Sequence, residues 1–452
     1  MSATSNPSLL GLPNELLFHV ASYLEPDVKI FKEDGYGSTT SLALHLKDPP
    51  TAIPPQSAAE TRQQHRGRTQ SLLHLALTCK SLSPIAQESL FKNVSLPRQL
   101  QDRECDGVYL SPMLYFLRTI IDRPDLAKQV RTLSIWIRRG VPIRPLQYLS
   151  ESSDHIPGSL AAKMADIVYT LPDGPQQYGA GHARWIQSLS CPSELMVASL
   201  ILASLPQLQA VEIYAKAAPS FNLGRWKEDN VYNNLGWFLN RERETGIHRL
   251  SQGLGMTNIK SLTLSTNLDW LCINISSLTH LTLDYNGRHP FANFLEGDVA
   301  PITDLTVLWE CNDNVNPTGR LPRKKGKKLR YLCRRLKSLH TLRFNSPAYL
   351  LTRGCAPYTM ERIVFQPADA LAFKFAEKIC GCALGYRLDR LSVVELHRFI
   401  EGPVPATVVL ENVRTRDTVT GQDVWTVWRS EPGCPPVSTG RLSTNKNFQI
   451  DN

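Results

Sequence analysis

No apolar run in the 452 residues reaches the roughly 18 that a membrane-spanning helix needs, so no membrane partner is expected. The opening stretch, MSATSNPSLL, lacks a basic n-region and a long apolar h-region, and no secretory signal is expected. Glycine motifs that cradle phosphate are missing: there is no G-x-x-x-x-G-K-[ST], and no G-x-G-x-x-G opens a helix. H-E-x-x-H and G-x-S-x-G are missing as well, which removes the familiar zinc-protease and serine-hydrolase signatures. The tightest cysteine pair, Cys380 and Cys382, is C-x-C, and no second pair stands at zinc-ligand spacing. Cys355 and His397 are the groups that could approach it in space. The expectation is a protein with no catalytic residues, no metal and no cofactor.

What is present is ordinary for a water-soluble globular chain: 42% hydrophobic and 20% charged residues. The length suggests two or three domains. Ten cysteines scattered without an export signal point to a reducing compartment, cytoplasmic and/or nuclear. The net charge of +9 is mild, and part of it sits in Arg323 to Arg335, RKKGKKLRYLCRR. Such a run can serve nuclear import or nucleic acid, but charge runs are more often solvated loops, and no nucleic-acid partner is expected.

Two leucine-rich blocks stand near the start. In Leu12 to Leu24, LPNELLFHVASYL, the residues Leu16, Leu17, Val20, Ala21 and Leu24 fall on one helical face. Pro13 suits the first helical position and Glu15 the positive end of the helix dipole. The second block, Ser71 to Leu96, reads SLLHLALTCKSLSPIAQESLFKNVSL. Its helix begins near Ser71, with Leu72, Leu75, Ala76 and Cys79 repeating and Leu73 and Leu77 widening the face. Ser83-Pro84 reads as an N-cap and first-position proline, with Ile85, Ala86 and Leu90 on a third helix. Residues 25–70 between the blocks are polar and rich in Pro and Gly, and read as a flexible insertion. Three short helices make a thin core, and such a module gains stability by burying apolar surface on a partner.

These blocks resemble an F-box of the fungal type, in which an LP-initiated helix precedes a helix pair. Leu82 stands where many F-boxes have tryptophan. The resemblance implies docking onto a Skp-type adaptor, and through it onto a cullin scaffold in a ubiquitin ligase. The matching positions are Leu12, Pro13, Leu16, Leu17, Val20, Leu72, Leu73, Leu75 and Leu77. Which of them face the module's own core is not legible from the sequence.

Further on, a phrase apolar-x-x-apolar-x-apolar recurs eight times. It begins at Val130, Leu208, Ile259, Leu278, Ile302, Leu339, Met360 and Leu388, with spacings of 78, 51, 19, 24, 37, 21 and 28 residues. The last two apolar positions of each phrase alternate with polar ones, as on one face of a strand. Helical faces fill several gaps: Leu114, Leu117 and Ile121; Met196, Leu200 and Ala203 after Ser193; Val231, Leu235, Phe238 and Leu239; Leu371, Phe375 and Ile379. Strand, helix, strand in alternation argues for a parallel sheet with helices outside. The phrase resembles a degenerate leucine-rich repeat.

The expected fold class is therefore α/β: a small helical F-box-like module, then an irregular leucine-rich-repeat-like solenoid with parallel strands. A doubly wound α/β domain is the competing architecture. The expected boundaries are 1–100 for the module, with its insertion at about 25–70; 101–402 for the repeats; and 403–452 for terminal strands and a disordered tail. Thr407 to Leu410 and Val424 to Trp428 read as strands, and residues 430–452 as disordered. In a solenoid the polar strand positions share one face and form an extended binding surface. They include Thr132, Ser134 and Trp136; Glu212 and Tyr214; Thr263 and Ser265; His280, Thr282 and Asp284; Asp304 and Thr306; Arg343 and Asn345; Arg362 and Gln366; Arg390 and Ser392. For an unknown protein target we single out Trp136, Tyr214, Asp284, Arg343 and Arg362. The expected function is a substrate-recognition adaptor of a ubiquitin ligase, the alternatives being a repeat-based interaction scaffold with no ligase link and an α/β enzyme working at the sheet's edge.

Overall fold

The computed structural model describes Leu17, Ala21, and residues 58–78, 80, 82–96, 112–138, 158–170, 189, 194–216, 258–265, 277–285, 301–309, 336–344, 359–365, 390–399, 406–416, 423–430, 435–443 and 449–450. Thirteen strands form one mixed sheet whose order in space is their order in sequence, from β1 to β13. The first nine pair in parallel: β1 (Asn93–Leu96), β2 (Thr132–Arg138), β3 (Ala210–Lys216), β4 (Ser261–Ser265), β5 (His280–Tyr285), β6 (Asp304–Trp309), β7 (Thr341–Phe344), β8 (Arg362–Phe365) and β9 (Val393–Phe399). The last four run antiparallel: β10 (Ala406–Arg416), β11 (Asp423–Ser430), β12 (Val437–Ser443) and β13 (Gln449–Ile450). A doubly wound sheet needs a point where strand order reverses. This sheet has none, so that competing architecture is excluded.

The ladder is in register with the repeated phrase. Val94, Leu133, Val211, Leu262, Leu281, Leu305, Leu342, Ile363 and Val394 pair in one column across nine strands. Two residues on, Leu96, Ile135, Ile213, Leu264, Leu283, Val307, Phe344, Phe365 and Leu396 make a second column. The first apolar residue of each phrase lies two before the strand and is buried: Val130, Leu208, Ile259, Leu278, Ile302, Leu339 and Met360. Because side chains alternate faces along a strand, the described side chains of both columns point into one continuous core.

Each strand is tied to the next at a repeated handover. One carbonyl accepts two N–H groups from the following rung, as Lys260 O does from Thr279 and His280, and Thr303 O from His340 and Thr341. Hydroxyls reinforce it: Thr279, Thr303 and Ser392 each donate to the carbonyl of the preceding rung.

Among the described residues the helices with defined bounds all precede β3: α1 (Ala58–Thr78), α2 (Ser83–Lys92), α3 (Pro112–Asp122), α4 (Pro124–Ala127), α5 (Gly158–Thr170) and α6 (Glu194–Ala203). Of these, α3 to α6 add buried residues to the core of the sheet. Helix α6 is apolar nearly all round, as a helix must be when it packs against α3, α5 and β2 at once. Helix α3 buries Met113, Leu114, Phe116, Leu117 and Ile120. Phe116 stacks on Phe91 of α2, with centroids 6.2 Å apart.

Several expectations need correction. Helix α1 starts at Ala58 and not near Ser71, so part of the expected insertion is helical. Its first half has no apolar stripe, but Ala, Glu, Arg and Gln are strong helix formers and no proline interrupts them. Ser83 is the first helical residue of α2 and does not cap it; Leu82 holds that place without a side-chain bond. Asn93–Leu96 belongs to the sheet, directly after α2, so the sheet begins ahead of the expected boundary at 100. The eighth phrase sits three residues later than read, as Leu391, Val394 and Leu396; Leu391 is the buried residue ahead of β9. Arg390 and Ser392 accordingly lie before β9 and not on its face. Residues 437–443 and 449–450 form strands where disorder was expected. Main-chain ladders hold them, and Val437 remains 60% exposed. Helix α5 was not anticipated, although Leu160, Met164 and Ile167 stand at helical spacing. The helical faces at 231–239 and 371–379 and the basic run 323–335 lie outside the described residues.

Candidate functional site

Two surfaces stand out, one on the N-terminal helices and one on the parallel sheet. At the first, helical residues Leu17 and Ala21 share a small core with Leu72, Leu82 and Ile85. Leu75 and Leu90 pack against its margin. Helices α1 and α2 are joined by four residues and pack on each other. Leu82 is 5% exposed, so it acts as an anchor between them. Leu73 and Leu77 fall on the opposite side of α1, and are 48% and 76% exposed. Positions four apart on a helix are neighbours, so the two leucines form one apolar step in water. The candidate docking residues thus divide: Leu17 and Leu72 face inward, Leu75 is half-buried, and Leu73 and Leu77 face out. Leu12, Pro13, Leu16 and Val20 lie outside the described residues.

The second surface is the polar face of the parallel sheet. It is not evenly open. Ser134 and Val364 are fully buried, and Glu212, Thr263 and Glu395 nearly so. Side chains on neighbouring strands stand only about 4.8 Å apart and shield one another. Among the described residues, Asn93, Ser95, Thr132 and Ser261 on this face are part-exposed, as are Thr282, Asp304, Thr306, Thr341, Arg343 and Arg362 on β5 to β8, where His280 is exposed. Trp136 is half-buried, and its backbone pairs with Tyr214 in the ladder. The side chains of Tyr214, Ser265 and Asp284 lie outside the described residues, as do Asn345 and Gln366.

A charged strip crosses this face. His280 Nε2 lies 3.4 Å from Asp304 Oδ2 on the next strand, and Thr303 donates to the same oxygen at 2.8 Å. On β8 and β9, Arg362 meets Glu395 at 2.5 Å and His397 donates to the other Glu395 oxygen at 2.6 Å. Burial alone would raise the Glu395 carboxyl. The His397 hydrogen bond and the Arg362 charge outweigh it and hold the group below the usual carboxylate range. Arg343 sits between these pairs and its guanidinium is held below its ordinary value, first by burial and then by the nearby charge of Arg362; Asp304 and Glu395 oppose this. Sequence reasoning found Arg343 and Arg362 but missed Glu395 and His397, because the eighth phrase was read three residues early. The His397 bond to Glu395 was the signal that could not be seen: it depends on where β9 starts.

These groups can hold ionic side chains; they form no nucleophile–base pair. Among the described residues, no cluster of His, Cys, Asp and Glu is suited to hold a metal ion, and no helix is long and apolar enough to cross a membrane. Cys355, Cys380 and Cys382 lie outside the described residues. No protein-family model matches the chain, and no curated protein matches it.

Proposed function

We propose that this chain is a substrate-recognition adaptor of a Skp–cullin–F-box type ubiquitin ligase, and no enzyme in its own right. The helices around Leu72 dock a Skp-type adaptor, which joins a cullin scaffold, and the sheet face holds a protein target. The mechanism is proximity: holding a target near the charged ubiquitin carrier raises effective concentration without catalytic residues in this chain. One observation carries the reading. The two blocks that resemble an F-box, far apart in sequence, pack into one small core and leave Leu73 and Leu77 in water beside it. We read the sheet as leucine-rich-repeat-like, supported by strand order that follows sequence and by one apolar register through nine strands.

The test is co-purification with a Skp-type adaptor, comparing wild type with Leu73→Asp/Leu77→Asp. Both leucines are exposed, so the variant should fold as wild type does while losing the adaptor. Failure of the wild type to retain the adaptor refutes the proposal.

A second reading is an interaction scaffold with no ligase link, its helices serving only to cap the sheet. It is favoured by the direct passage from α2 into β1, and by the bond from Arg131 N–H to Lys92 O at the end of α2. On that reading the double variant has no specific partner to lose.

A further inference from the structure

Among the described residues, Arg343 is a cation of the charged strip with no hydrogen-bonded partner. Asp304 is engaged by His280 and Thr303, and Glu395 by Arg362 and His397. Arg343 stands on β7 between them, one strand from each of Asp304 and Arg362 and two from Glu395. Among the described residues its side chain makes no hydrogen bond and no ion pair. It is nonetheless partly buried, next to the fully buried Val364, which stands between it and Glu395 in the ladder. A guanidinium so placed has lost part of its hydration, and among the described residues no anion is hydrogen-bonded to it in exchange.

We infer that Arg343 is the anchor for a single carboxylate of the protein target. The planar fork of arginine matches a carboxylate with two parallel hydrogen bonds, and a partly dry setting strengthens them. The surroundings select against a more highly charged group. Two carboxylates, Asp304 and Glu395, lie close enough to act on Arg343. A monoanion takes up the donors that Arg343 leaves free among the described residues. A phosphate carries close to two negative charges and would sit within reach of both resident carboxylates, whose like charge opposes it. This deepens the reading of the sheet face as the target-holding surface and rests on it.

The experiment screens the full chain against a library of short random peptides, then measures the enriched sequences one by one. Peptides with one Asp or Glu at a fixed position should be selected. Replacing that acid by its amide, or Arg343 by Gln, should each weaken binding by about 10- to 100-fold, the range of a charge-assisted hydrogen bond. Combining both changes should add little. Arg343→Lys keeps the charge without the fork and should fall between wild type and Arg343→Gln. Amidating the peptide C-terminus separates the two sources of a carboxylate: unchanged affinity assigns a side chain, lost affinity the chain end, and either supports the inference. Three results overturn it: no acidic preference, including no enrichment at all; acidic peptides that bind Arg343→Gln as tightly as wild type; or a phosphoserine version that binds tighter than the carboxylate. Thermal unfolding of Arg343→Gln checks that the fold is intact. Adaptor capture is scored separately, so Arg343→Gln that keeps the adaptor but loses peptide separates this site from the docking helices.

Discussion

Leu281 and Thr282 are consecutive residues on β5 that point to opposite faces of the sheet, and comparing them tests the register of the whole ladder. Leu281 is 1% exposed and pairs with Leu262 on one side and Leu305 on the other, 5% and 0% exposed. Truncation to alanine there removes buried methyl groups from a column that cannot close around the gap, because each neighbour is fixed by its own strand. Leu→Ala at such sites costs about 2–5 kcal/mol. Thr282 is part-exposed between Thr263 and Thr306, and Thr282→Ala should stay within about 0.5 kcal/mol. At roughly 2–4 °C per kcal/mol for a large domain, Leu281→Ala should lower the melting temperature by about 4–20 °C and Thr282→Ala by about 2 °C at most. Calorimetry or circular dichroism on the purified chain reads both. A slip of one residue would exchange the faces of every side chain. Equal losses for the two variants, or a larger loss for Thr282→Ala, would therefore refute the register.

Two further outcomes are expected. Glu395 has its folded-state affinity for a proton depressed, so it contributes stability that is present above the unfolded carboxylate range and is lost as pH falls through the folded value. Glu395→Gln should accordingly unfold at a lower temperature than wild type at pH near 7, and the gap should narrow as the pH falls below the ordinary glutamate range; a gap that stays constant with pH counts against the Arg362–Glu395–His397 arrangement. Gly67 lies within α1, and a methyl group added there meets nothing within 4 Å. Gly67→Ala should stabilise that helix by about 0.5–1 kcal/mol, seen as greater protection of its amides from hydrogen exchange; slower protection gain than in an unrelated exposed alanine substitution would argue that α1 is not helical there.

The sheet was legible where one pattern fixed both the strand and its facing. Seven of the eight phrases give the observed register, since an in-register parallel ladder must align every copy of the pattern. The eighth failed because Leu388-Asp-Arg-Leu391-Ser-Val393 and Leu391-Ser-Val-Val394-Glu-Leu396 both satisfy the pattern, and only pairing with β8 chooses between them. A ninth copy, Phe91-Lys-Asn-Val94-Ser-Leu96, went unread because its first residue belongs to a helix. In the N-terminal helices the leucines are legible in the sequence but their facing is not. Leu72 and Leu73 are chemically identical, and only packing against Leu17 and Leu82 puts one inside and leaves the other in water. The charged strip was half legible: an arginine on a strand is visible in sequence, but the carboxylate it meets comes from another strand 33 residues away, as Arg362 and Glu395 do.

The handover between rungs separates two kinds of freedom in this chain. One carbonyl taking two N–H groups, with an apolar residue just ahead of each strand, decides alignment within a few residues. Whatever runs between one handover and the next is released from that duty, which is how successive strands can begin 19 residues apart in one place and 78 in another and still meet in step. New sequence can be gained or lost between rungs without any rung having to be redesigned, so the lineage of such a chain can diversify its connecting segments while its frame stands still.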